Sequence, residues 1–233
     1  MSFRLTKRFE ALLVGPLITG LRLTESLEEL SANADRVYGV VVNLHQMKAA
    51  SKLIRNLGLG IPIAPIAYPL GNLPLDIKLL QASQALDAGA GGLDFVVLVE
   101  YLKSGQDHLV EAEIQAMVEL AGRYRASLTC IAPLELISIG EQQRAAALAL
   151  QLGADLQTAT GLGADTSLEA LAKLRKQAAP ELRLVACGAI RLFEQALDFF
   201  NAGATCVCTA DLAGVFNGFS VLSYYGLMGD SHA

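Results

Sequence analysis

Short apolar runs alternate along the chain with longer stretches in which Leu and Ala recur among Glu, Gln, Arg and Lys. The apolar runs cover 11–15, 37–43, 61–67, 93–99, 127–133, 154–159, 182–187 and 205–209. Most are near-continuous in Val, Ile, Leu and Ala rather than alternating, the pattern of parallel strands buried on both faces. The stretches between them predict helices over 25–33, 45–57, 75–88, 108–124, 141–152, 167–178 and 192–202, the first capped at Thr24 or Ser26. Several close on a glycine that feeds straight into the next run, at Gly89, Gly153 and Gly203, where a helix can end in the left-handed conformation.

This alternation predicts a single-domain (β/α)₈ TIM barrel over 1–233, with a C-terminal tail at 218–233 that is expected to be flexible. A doubly wound open sheet is the competing arrangement. Its glycine-rich phosphate turn would follow the first strand, and Gly15-Pro16-Leu17-Ile18-Thr19-Gly20 does not have that form. Only 18% of the 233 residues are charged, against about 25% in an average globular protein. Two concentric apolar layers of a barrel account for this, and so does apolar surface covered by a partner or a second copy; composition leaves both open.

The net charge of −5 comes without a basic stripe, so nothing points to nucleic acid. No apolar stretch reaches the roughly 20 residues of a membrane span. Cys130, Cys187, Cys206 and Cys208 lie in strand-like segments and read as reduced thiols of a cytoplasmic protein. Cys187, Cys206 and Cys208 lack a Cys-x-x-Cys spacing or a nearby histidine, and no metal or cofactor is expected. His45 is the one histidine just past a strand end, and a surface position at a helix start accounts for it.

In a barrel the chemistry sits at the C-terminal ends of the strands. There the chain reads Val41-Val42-Asn43, Tyr68-Pro69-Leu70-Gly71, Leu93-Asp94-Phe95-Val96, Leu102-Lys103-Ser104-Gly105, Gln157-Thr158-Ala159-Thr160-Gly161 and Cys187-Gly188-Ala189-Ile190-Arg191. In order and spacing this series resembles the deoxyribose-phosphate aldolases, barrel enzymes that form a Schiff base with their sugar. The resemblance implies an acid on strand four, a Schiff-base lysine on strand six and a second lysine on strand seven that lowers the first one's pKa. Asp94 matches the acid, but Gln157 stands for the first lysine and Val185 for the second. A carboxamide nitrogen is delocalised into its carbonyl and cannot form an imine.

The phosphate run implied by the resemblance, Gly-Thr-Ser-Ser, is here Cys208-Thr209-Ala210-Asp211. Asp211 would repel a phosphate; capping the next helix is its other reading. Gly188 and Ala189 keep a turn able to offer amides to an anion. Asp94, without a cation in view, is expected to turn to Gln157, with Asn43, Glu100, Thr158, Thr160 and Gly161 as further candidates for a polar ligand pocket. The expected function is a non-catalytic relative of the aldolases that binds, regulates or assembles, through a protein partner, homo-oligomer, small molecule or phosphate. The alternatives are a lyase or isomerase with Asp94 as acid/base, and aldolase activity through another lysine such as Lys103.

Overall fold

The structure is a computed structural model that describes residues 8–15, 18–161 and 165–224, with side chains to residue 218. Eight parallel strands close into a barrel in chain order: β1 (Arg8–Leu13), β2 (Val37–Val42), β3 (Ile61–Ile66), β4 (Gly92–Val96), β5 (Ser127–Ile131), β6 (Asp155–Gln157), β7 (Leu184–Cys187) and β8 (Cys206–Thr209). Around them run α1 (Gly20–Ser31), α2 (Met47–Asn56), α3 (Leu75–Asp87), α4 (Val99–Lys103), α5 (Asp107–Tyr124), α6 (Ile139–Leu152), α7 (Leu168–Gln177), α8 (Phe193–Asn201) and α9 (Leu212–Tyr224). This is the expected (β/α)₈ barrel.

Alternation along each strand divides the apolar residues in two. Phe9, Ala11, Leu93, Phe95, Leu156, Ala186 and Val207 face outward and join the helices in the main core. Leu12, Val41, Ile63, Val185, Cys187, Cys206 and Cys208 face inward and pack on one another. The low charge content is therefore put to use by two apolar shells within one chain.

Helix ends follow local chemistry. Ser138 and Glu141 form a capping box at the start of α6, and Gly153, at φ 78°, ends it. The first helix begins earlier than its sequence pattern suggests. Its cap is Thr19, whose hydroxyl accepts from Arg22 N at 3.2 Å, so Thr24 and Ser26 lie inside α1 rather than at its end. Residues 218–224, expected in a tail, belong to α9, while 225–233 lie outside the described residues.

Behind the C-terminal end of β4 lies a buried ion pair. Lys78 of α3 is fully buried. Its Nζ donates to Glu113 Oε1 of α5 at 2.8 Å and to Val96 O at 2.9 Å, while Glu113 Oε2 accepts from Leu98 N at 3.0 Å. Burial lowers the Lys78 pKa and Glu113 opposes that shift. Lys78 is thus on a helix of the outer ring but turned inward as a strut rather than toward solvent.

Candidate functional site

The strand registers stack the inward side chains in layers, each supplied by alternate strands. Glu10, Ile63, Thr129 and Val185 share one layer. Val41, Asp94, Gln157 and Cys208 lie in the next toward the C-terminal mouth, and Leu12, Pro65, Ile131 and Cys187 above them. Asp94, Gln157 and Val185 therefore do meet in the barrel interior, but beneath a largely apolar layer; they are 2%, 1% and 2% exposed. Over that layer lies Tyr68, whose hydroxyl donates across the mouth to Thr160 O. Burial, with Cys187, Cys208 and Asp94 nearby, raises the Tyr68 pKa.

Asp94 and Gln157 do not form the expected hydrogen bond. Gln157 Nε2 donates instead to Ala159 O at 2.7 Å, two residues along its own strand end, and Oε1 is buried without a partner. The local carbonyl outcompetes the carboxyl across the barrel. Asp94 is hydrogen-bonded to Thr129 on β5. Burial pushes its carboxyl up to about 7, opposed by the Thr129 bond and reinforced by Asp155.

Sequence reasoning missed the second acid, Glu10 on β1. It is 3% exposed and its Oε2 has no partner. Burial and then Asp94 raise its carboxyl to about 8; the Cys206 thiol lowers it, Asp155 raises it and Arg8 lowers it. The signal was present as an inward i, i+2 series, Arg8, Glu10, Leu12. Among the described residues, the basic side chains at this end of the barrel have other partners: Arg183 pairs with Asp155 through Nε–Oδ1 and Nη2–Oδ2, each 2.6 Å, and Arg8 stacks on the Tyr38 ring at 4.1 Å.

The remaining candidate ligand residues are held by the chain itself. The Thr158 hydroxyl pairs with that of Thr166 and donates to Val185 O. Asn43 exchanges two hydrogen bonds with Gly15 and donates a third to Gln46 Oε1. Gly161, at φ 74°, has no room for a side chain between Leu12 and Cys187. Glu100 is exposed on α4 and does not join the cluster. At the anion turn, Asp165 Oδ1 accepts from Ala189 N at 3.0 Å and lies against Gly188, so a carboxylate of the chain occupies that place. Asp211 caps α9, its Oδ1 accepting from Gly214 N at 3.2 Å. All four cysteines are buried free thiols. Lys103 is exposed, and Lys7 lies outside the described residues.

Known proteins resolve the ancestry of this arrangement. The deoxyribose-phosphate aldolase of Thermococcus kodakarensis is 32% identical over 184 residues, 78% of this chain and 82% of that protein. That of Streptococcus sanguinis is 30% identical over 220 residues, 92% of this chain and 96% of the other. The chain belongs to the deoxyribose-phosphate aldolase family. The fold agrees: a tetrameric deoxyribose-phosphate aldolase from Aeropyrum pernix superposes with a TM-score of 0.84 at 27% identity, over 94% of this chain and 92% of that one. A structure described as QR15, an aldolase, superposes at 0.87 with 22% identity, over 96% and 99% of the two chains. No family profile matches the chain. The family's named activity is a carbon–carbon lyase reaction. No helix among the described residues is long and apolar enough to cross a membrane.

Proposed function

We propose that this member of the deoxyribose-phosphate aldolase family has lost imine chemistry and serves in binding, regulation or assembly. The observation that carries this reading is the pair Gln157 and Val185, adjacent in register on β6 and β7, where the family resemblance puts its two lysines. Neither side chain has an amine to attack a carbonyl. Two further observations support it. Leu12, Pro65, Ile131, Cys187 and Tyr68 cover the polar residues from the mouth, and Asp165 fills the anion turn. The protein acts in the cytoplasm on this reading, as its unpaired buried thiols suggest. Assembly with itself is the natural form of a partner, given the tetramer formed by the Aeropyrum protein.

One observation favours a second reading. Asp94 and Glu10 are acids whose protonation equilibria lie near neutrality, the property expected of a general acid/base pair in a lyase or isomerase. Their burial weighs against it, because a substrate has to reach the proton it exchanges. A coupled assay for acetaldehyde released from deoxyribose 5-phosphate separates the two. The non-catalytic reading expects turnover no greater than in a heat-denatured control. Turnover that survives in Lys103→Ala but disappears in Asp94→Asn would favour the acid/base reading; turnover lost in Lys103→Ala would favour that lysine as a replacement nucleophile.

A further inference from the structure

A pocket of about 590 Å³ opens at the C-terminal mouth beside β1, β2 and β3, displaced from Asp94 and Gln157. This lies within the size range of small-molecule sites. Its floor is Pro65, the β3 member of the layer that covers Asp94, and Tyr68 forms the wall toward the barrel axis. Val14, Leu44, Leu70 and Leu73 supply further apolar surface. The polar lining is made of amides and one imidazole: Asn43, Asn72, Gln81 and His45. Among the described residues that line it there is no carboxylate, ammonium or guanidinium.

The wall is built rather than draped. Ala67 takes a φ of 54°, a conformation that costs energy for a residue with a Cβ. It is held there from both sides: Ala67 N donates to Gln81 Oε1 at 3.0 Å, and Ala67 O accepts from Gly71 N at 2.7 Å. Gly71 in turn, at φ 72°, lies against Val97 O with no space for a side chain. Using Gln81 Oε1 in this way leaves its Nε2 donor uncommitted among the described residues. The Asn72 side chain is likewise uncommitted there. Gln81, on α3 and anchored through its Oε1, thus presents one fixed donor above an apolar floor, the preorganisation that lowers the ordering cost of binding.

We propose that this pocket is a binding site for a small uncharged ring compound bearing a carbonyl-type acceptor, held on the faces of Pro65 and Tyr68 and by the Gln81 amide. With the His45 imidazole neutral, a charged group would lose hydration here without gaining a counter-ion. Because Tyr68 also reaches Thr160, an occupant touches a side chain bonded to the segment that follows Gln157. Binding of this kind needs no amine and is independent of whether imine chemistry survives.

Three probes of one shape and different charge test it: benzamide, benzoate and benzylamine, titrated into the full chain while backbone amide resonances are followed. The expected result is saturable shifts centred on Ala67, Gly71 and Asn72 with benzamide, and affinities at least about tenfold lower for both charged probes. Gln81→Glu keeps an acceptor for Ala67 N but removes the donor, and is expected to weaken benzamide at least about tenfold. Asn72→Asp, at an exposed position that folding tolerates, places a negative charge on the rim and is expected to narrow the gap between benzylamine and benzamide by a few-fold. Shifts that are absent or centred elsewhere, benzoate binding as tightly as benzamide, or Asn72→Asp leaving the benzylamine-to-benzamide affinity ratio unchanged would each overturn the proposal.

Discussion

Two buried polar clusters lie on opposite sides of the β4 wall, and they are built on opposite principles. Outside the strands, Lys78 and Glu113 have opposite charges, and both carboxylate oxygens are bonded. Inside, Glu10 and Asp94 are both acids, and Glu10 Oε2 and Gln157 Oε1 are left without partners. Orphaned buried acceptors are uncommon in native proteins and call for an explanation. A cation-bearing side chain at 157 or 185 would meet both carboxyls; Gln157 and Val185 do not. The outer cluster is a finished structural element, whereas the inner one keeps its acids without the positive charge that would balance them.

Breaking the outer cluster gives the largest effect. Lys78→Met leaves Glu113 buried and unpaired, and is expected to cost about 3–5 kcal/mol in chemical denaturation. Lys78→Met with Glu113→Leu is expected to recover much of that loss, because the stranded charge goes too. A double variant no more stable than Lys78→Met would show that packing, not charge, dominates there.

The inner cluster is expressed in pH dependence. The folded-state pKa values of Glu10 and Asp94 are raised, to about 8 and about 7, above their ordinary values of 4.5 and 3.8. The folded protein then holds protons that the unfolded chain releases, so these carboxyls favour the fold fully below about pH 4. Their contribution falls as pH rises and is lost as pH passes through about 7 and then about 8. Glu10→Gln should flatten the loss of stability between pH 5 and pH 8 by on the order of 2 kcal/mol, read from denaturation midpoints across that range. A curve as steep as the parent's would mean Glu10 is not the group that titrates.

Gln157→Lys sharpens the contrast by placing a cation in the inner cluster. Its expected effect is a pH profile flatter by about 1 kcal/mol, without any gain of aldolase turnover while Val185 and the covering layer remain. The smallest effect belongs to the anion turn. Asp165→Ala exposes Ala189 N at the cost of one exposed hydrogen bond, about 0.5–1 kcal/mol. Inorganic phosphate is expected to shift the Ala189 amide resonance in the variant and not in the parent.

The fold was legible because its signals are local. Apolar runs mark all eight strands and a terminal glycine marks several helix ends, each readable within a few residues. The resemblance carried by the strand-end phrases implies one site for Asp94, Gln157 and Val185, and the structure brings the three together in the barrel interior. What escaped depends on direction rather than position. Glu10 stands at the polar edge of an apolar run, and only its period-two relation to Leu12 reveals that it points inward. Lys78 reads as a surface lysine, although Ala82 and Ala85, at i+4 and i+7 on its face of α3, are a cue to burial. The Asp94–Gln157 hydrogen bond failed for a different reason: adjacency in a layer does not choose between a carboxyl across the barrel and a carbonyl two residues away. Asp165 lies in a loop with no periodic pattern, so its approach to Ala189 is set by tertiary structure alone.

The most direct test of lost imine chemistry is borohydride trapping with deoxyribose 5-phosphate and with acetaldehyde, read by intact mass beside an active aldolase. The account predicts an unchanged mass for this protein while the active enzyme gains a reduced adduct. A stoichiometric adduct on a single lysine would contradict it, and peptide mapping would then identify the amine that forms it.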